Sequence, residues 1–278
     1  PNIAREPGRL ITTASADVAL KGLSYLLEAM ALLRKDRDIR LTIIGKPRPG
    51  HSMDLIDSLG LKPYIDFVSG VTDERIVELY AEAERRFADG TGKGFGELHT
   101  DNHTSGPMRM RRYIPTDNPV MRKFFTIANK YDGFVQIHTQ LDGKFNDDIL
   151  RLANDFPNVK VILAHCLPGA KPTDLSRLFE ARPNIFCELS AQGAIQNRLS
   201  GLSRPPRVFS YDGVKADWLD LFKQHPTRVM VGSDACCGWF GSYSEMIDEI
   251  RTNLLPYLEP ELMEKLAHKN AVNLLGLR

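Results

Sequence analysis

The stretch Asn158-Val159-Lys160-Val161-Ile162-Leu163-Ala164-His165-Cys166-Leu167-Pro168 decides the reading of the fold. Val161 to Ala164 show no alternation of apolar and polar residues, which predicts a strand covered on both faces, and Pro168 with Gly169 stops it at once. His165 therefore closes a buried parallel strand at its carboxyl end. Two further runs repeat the design: Phe134 to Ile137 closes on His138, and Val229 to Ser233 closes on Asp234. Strand, ligand-type residue, loop and helix in repetition is how a (βα)8 barrel carries chemistry on its C-terminal face.

Working outward, helical stripes separate these strands. Met121, Phe124, Phe125 and Ala128 lead into the His138 strand, and Ile149, Leu150 and Ala153 into the His165 strand. Leu175, Leu178 and Phe179 precede a strand at Ile185 to Leu189, and Trp218, Leu221 and Phe222 precede the Asp234 strand. Upstream, Gly94 to Leu98 reads as a short strand bearing Glu97 at its end, followed by a polar loop from His99 to Arg112. That makes five βα units. Three more are predicted before them, with strands near 9–15, 39–44 and 64–68 and helices near 21–35, 52–59 and from Thr72 onward.

The 278 residues, 42% of them hydrophobic, suffice for a large core. Lys and Arg number 36 against 35 Asp and Glu, a formal charge of +1, so no global field attracts nucleic acid or an anionic membrane. No apolar run approaches the roughly 18 residues of a membrane span, and the N-terminus shows no charged-then-apolar signal pattern. Of the four cysteines, Cys166 and Cys187 fall in strand-like runs and Cys236 and Cys237 are adjacent, a pattern unlike a disulfide framework, so a reducing cytoplasm is expected.

Glu97, His138, His165 and Asp234 share one structural slot, the carboxyl end of a predicted parallel strand, and folding is expected to gather them. Imidazole nitrogens and carboxylate oxygens suit zinc, manganese or iron, and such an ion lowers the pKa of bound water toward about 7.

Two family resemblances overlie this reading. Residues 1–84 resemble the C-terminal domain of GT-B glycosyltransferases, through Lys21-Gly22, Leu41 to Gly45, and Tyr64 to Gly70 with the following Thr72 to Tyr80. That likeness implies nucleotide-sugar binding, with Lys21 as a nucleotide-binding residue. The family's E-x7-E pair has no counterpart here, where Glu84-Arg85-Arg86-Phe87 stands, and Ser15, Ala16 and Asp17 occupy the place of its arginine. Residues 85–278 look like an amidohydrolase-superfamily metal-dependent hydrolase, through Gly94 to His99, Gln136 to Thr139, Ile162 to Cys166, Val231 to Ala235 and Lys265 to Leu277. The resemblance implies His138 and His165 as metal ligands, Asp234 as ligand and catalytic proton shuttle, and Glu97 as a ligand of the deoxyribonuclease-like branch. The family's first-strand H-x-H pair is absent; His51 stands alone, and His99, Asp101 and His103 lie in the polar loop, from which they could rotate in as replacements.

The expected architecture is thus an α/β composite, three glycosyltransferase-derived and five amidohydrolase-derived βα units closing as one (βα)8 barrel, as a recombined or engineered chimera would. Strand 64–68 is expected beside 94–98, and 10–14 against 229–233, with Thr13, Ser15, Gly45, Lys46 and Ser69 facing the cluster. The expected function is hydrolysis of an amide, ester or phosphoester in a small-molecule substrate by metal-activated water, impaired by the missing H-x-H. The alternatives are an inert scaffold, or residual nucleotide-sugar binding through Lys21.

Overall fold

A computed structural model describes residues 8–12, 23–44, 47, 50–68, 73–100, 114–140, 143–190, 192–193, 206–234 and 243–277. The fold is mixed α/β, and the chain divides into two compact units, residues 1–79 with 235–242 and residues 80–234 with 243–278. Lys21, Asp101 and His103 lie outside the described residues, as do Thr13, Ser15, Gly45, Lys46, Ser69 and Thr72.

In the first unit, β1 (Arg9–Thr12), β2 (Arg40–Ile44) and β3 (Ile65–Val68) form a parallel sheet in that order. The helices α1 (Leu23–Leu33) and α2 (His51–Ser58) accompany it. Leu23, Leu27 and Met30 recur at helical spacing and pack with Leu41, Ile43, Ile56 and Ile65 in one core. Each such fully buried side chain contributes about 1.5–3 kcal/mol relative to exposure.

The helix α3 (Asp73–Ala88) spans the division between the units. The second unit holds β4 (Gly94–His99), α4 (Pro119–Lys130), β5 (Phe134–His138), α5 (Gly143–Asp155), β6 (Lys160–Leu163), α6 (Pro172–Ala181) and β7 (Ile185–Glu188). A short hairpin of β8 (Phe209–Ser210) and β9 (Gly213–Val214) comes next, then α7 (Ala216–Gln224) and β10 (Val229–Met230). After α8 (Tyr243–Asn253), α9 (Pro260–Glu264) runs through a π-helical turn at Lys265–Lys269 into α10 (Asn270–Leu275). Its sheet is parallel in the order β10-β7-β6-β5-β4.

Local chemistry explains these boundaries. Asn118 caps α4, its side chain accepting from the Val120 and Met121 amides at 3.0 Å each, and Pro119 takes the first helical position, where no amide is needed. Asn184 donates from Nδ2 to the Ala153 and Val159 carbonyls, both at 3.0 Å, tying the end of α5 to the start of β6. Phe125, Ile137, Leu163, Cys187, Trp218 and Phe222 sit in the main core of this unit.

β3 pairs with β2 in the first unit, and β4 with β5 in the second. Two expectations need correction. His99 belongs to β4 and not to a loop, because its backbone continues the ladder opposite His138. Cys166 and Cys187 form a disulfide; the pairing of Leu163 with Cys187 brings the two cysteine Cα atoms to 4.8 Å, well within bridging range.

Candidate metal centre

Every described residue of the cluster lies in the second unit, at the carboxyl ends of its parallel strands. His138 ends β5, and the β4–β5 register sets His99 directly beside it, so the two imidazoles stack with centroids 4.4 Å apart at 9°. Between the pairs Phe95–Val135 and Leu98–Ile137, β4 carries one residue more than β5, a bulge that contains Gly96 and Glu97. Gly96 is needed there, since a Cβ would stand 2.8 Å from the Cβ of Gln136.

Glu97 is the hub. Its Oε1 accepts from His138 Nδ1 at 2.5 Å and lies 3.5 Å from both His99 Nε2 and His165 Nε2. Burial works against its charge, but the hydrogen bonds from His138 and then His165 outweigh it and hold the carboxyl well below the usual carboxylate range. His165 follows β6 and turns the chain: His165, Cys166 and Leu167 all have left-handed φ, at 55°, 46° and 56°. Such backbone costs about 1–3 kcal/mol per residue and persists only where surroundings enforce it. Here Arg207 donates to the carbonyls of all three, at 3.1, 2.9 and 2.9 Å. Burial disfavours the charge on His165, yet its bond to Glu97 and the fields of Glu188, Glu97 and Asp234 push its pKa up to about 9.

Asp234 also has left-handed φ, 48°, and follows Val231 to Ser233 beyond β10. Burial pushes its pKa up to about 6; His165 and His138 pull it down, while Glu97 and Glu188 push it further up. The ligand atoms of Glu97, His165 and Asp234 lie within 4.8 Å of one another, and those of Glu97, His99 and His138 form a second such group. The donor set of carboxylates and imidazoles fits a divalent ion. So does an orphaned atom: His138 gives its Nδ1 proton to Glu97, and its buried Nε2 meets no hydrogen-bond partner.

The sequence-predicted Glu97, His138, His165 and Asp234 are therefore brought together, whereas His51 stands exposed at the start of α2. Three contributors stood outside the four expected ligands: His99, expected only as a replacement from the loop, and Glu188 and Ser190. His99 carried a signal, its two-residue spacing from Glu97 on one strand. Glu188 and Ser190, packed under His165, carried none beyond the polar ending of β7.

Two family models match the chain. The family described as "Amidohydrolase" matches residues 59–277, and "Glycosyl transferases group 1" matches residues 2–96. A mannosyltransferase of Mycolicibacterium hassiacum, "MMP alpha-(1->4)-mannosyltransferase", is 41% identical over 107 residues, 38% of this chain. The match covers 26% of that protein, so the chain spans about a quarter of it. Among solved structures, 2,6-dihydroxybenzoate decarboxylase complexed with 2,6-dihydroxybenzoate gives a TM-score of 0.46 at 13% identity, over 86% of this chain and 84% of that one. A dihydroxybenzoic acid decarboxylase from Polaromonas sp. JS666, with bound manganese and 2-nitroresorcinol, gives 0.43 at 11% identity, over 90% and 85%. The two family matches fit a chimera, with the overlap at 59–96 marking where one likeness gives way to the other.

Proposed function

The chain belongs to the amidohydrolase family, and from that premise we propose that the second unit is a metal-dependent hydrolase acting on an amide, ester or phosphoester of a small molecule. The observation that carries the reading is the convergence of Glu97, His99, His138, His165 and Asp234 in two groups that share Glu97. These residues would hold one divalent ion, zinc, manganese or iron, which when bound activates water and polarises the scissile group. Glu97 and His99, from one strand, stand in for the absent H-x-H pair.

Asp234 is the general base. A carboxyl raised to about 6 is ionised at neutral pH yet basic enough to take a proton from the attacking water and return it to the leaving group. Glu97 keeps its negative charge throughout and orients His138. Turnover is expected to be modest, because the missing H-x-H pair removes two neutral nitrogen donors from the ion.

One feature of the sequence favours the competing reading of an inert scaffold, the missing H-x-H pair. The test is metal removal by chelation, return of zinc or manganese, and assay on ester, amide and phosphoester panels. Recovery of turnover with the ion, and a fall of about 10²–10⁴-fold in Asp234→Asn, is expected. Absence of metal-dependent turnover across the panel would establish the scaffold instead.

A further inference from the structure

Beneath His165 lies a buried polar chain that the proposed reaction does not use. Glu188, Ser190 and His165 are all nearly sealed from solvent. Glu188 Oε1 accepts from the His165 amide at 2.8 Å and from Ser190 Oγ at 2.9 Å, and its Oε2 accepts from the Ser190 amide at 2.7 Å. Ser190 Oγ in turn lies 2.7 Å from His165 Nδ1.

We propose that Glu188 and Ser190 are positioning residues that fix which nitrogen of His165 faces the metal. The reasoning is a count of protons. Two of the three donors on Glu188 are backbone N–H groups, which cannot reverse, and they favour a carboxylate that only accepts. The single hydroxyl proton of Ser190 therefore points to Glu188. The Ser190 oxygen is left to accept, so His165 Nδ1 must carry a proton. Nε2, on the side where Glu97 Oε1 lies 3.5 Å away, is then the nitrogen that gives up its proton and presents a lone pair when an ion binds. Gln192 Nε2, donating to the His165 and Ser190 carbonyls at 3.1 and 2.8 Å, keeps the two backbones in step. A ligating imidazole held by its other nitrogen has a defined tautomer and ring plane, and loss of such a support costs about 10–100-fold in metal affinity. The inference rests on the proposed metal centre for its purpose but not for its geometry.

The test uses histidine-labelled full chain and NMR, with Ser190→Ala, the hydroxyl-retaining Ser190→Thr, and Glu188→Gln. In metal-free protein a slowly exchanging Hδ1 on His165 is expected, lost in Ser190→Ala and kept in Ser190→Thr. With zinc alone, the ring carbon and nitrogen shifts should report Nε2 ligation in wild type and a mixture in Ser190→Ala. Zinc affinity should drop about 10–100-fold in Ser190→Ala and Glu188→Gln, and stay within a few-fold in Ser190→Thr. A protected Hδ1 that depends on Ser190 in a protein that binds no zinc would uphold the relay and overturn the hydrolase reading. A His165 protonated at Nε2 alone, Nδ1 ligation in wild type, or Ser190→Ala spectra matching wild type would overturn the relay.

Discussion

Gly232 stands so close to Glu188 that a Cβ built on it would lie 2.2 Å from Glu188 Oε2. The chain leading to Asp234 thus passes directly over the carboxylate that supports His165, with no room for a side chain between them. Gly232→Ala should destabilise the protein by about 1–3 kcal/mol, the cost of overpacking a filled site. Shortening the neighbour relieves the clash, so Gly232→Ala should cost less in a Glu188→Ala background than alone. Urea unfolding of the four proteins in that cycle checks it, and additive effects would mean the two do not meet.

His99 should behave as a donor and not as a surface histidine. Its Nε2 lies 3.5 Å from Glu97 Oε1 and its ring stacks on His138. His99→Ala is expected to weaken zinc binding at least about 10-fold by calorimetry, and Glu97→Gln further, since Glu97 belongs to both groups of ligand atoms. Unchanged affinity in His99→Ala would leave the centre to Glu97, His165 and Asp234.

Metal affinity should rise with pH in two steps. The ion must displace a proton from Asp234 below about 6 and one from His165 below about 9. Affinity should climb steeply up to pH 6, by one proton's slope from 6 to 9, and flatten beyond. Linkage predicts the opposite trend for the metal-free fold. The folded value of His165 lies above its ordinary 6.5, so its stabilisation is whole below pH 6.5 and lost as pH rises through 9. Melting temperatures of metal-free protein across that window, flattened in His165→Gln, test the sign.

The Cys166–Cys187 bridge closes a loop with a sequence separation of 21. Replacing both cysteines by serine should cost roughly 3 kcal/mol of unfolding free energy, since the reduced chain regains loop entropy. Thiol titration of unfolded protein with and without reductant verifies the bridge, and unfolding curves measure the loss.

Much of the site was legible because strand ends announce themselves. The unbroken apolar run before His165, the similar run before His138 and the Val231-Gly232-Ser233 approach to Asp234 each mark a buried strand and its polar terminus, and hydrophobic periodicity is a local property. The sequence by itself thus determined the parallel βα order and the four ligand-type residues Glu97, His138, His165 and Asp234. Only the tertiary structure decided the rest, since it depends on pairing between segments far apart in the chain. The extra residue on β4 and the register His99 to His138 make His99 part of the cluster. The β6–β7 register joins Cys166 to Cys187 and slides Glu188 and Ser190 under His165. Ladder hydrogen bonding orders β1, β2 and β3 within the first unit, and β10, β7, β6, β5 and β4 within the second. A repeating unit specifies its own strand and helix, whereas the choice of edge partner lies in contacts that no single unit contains.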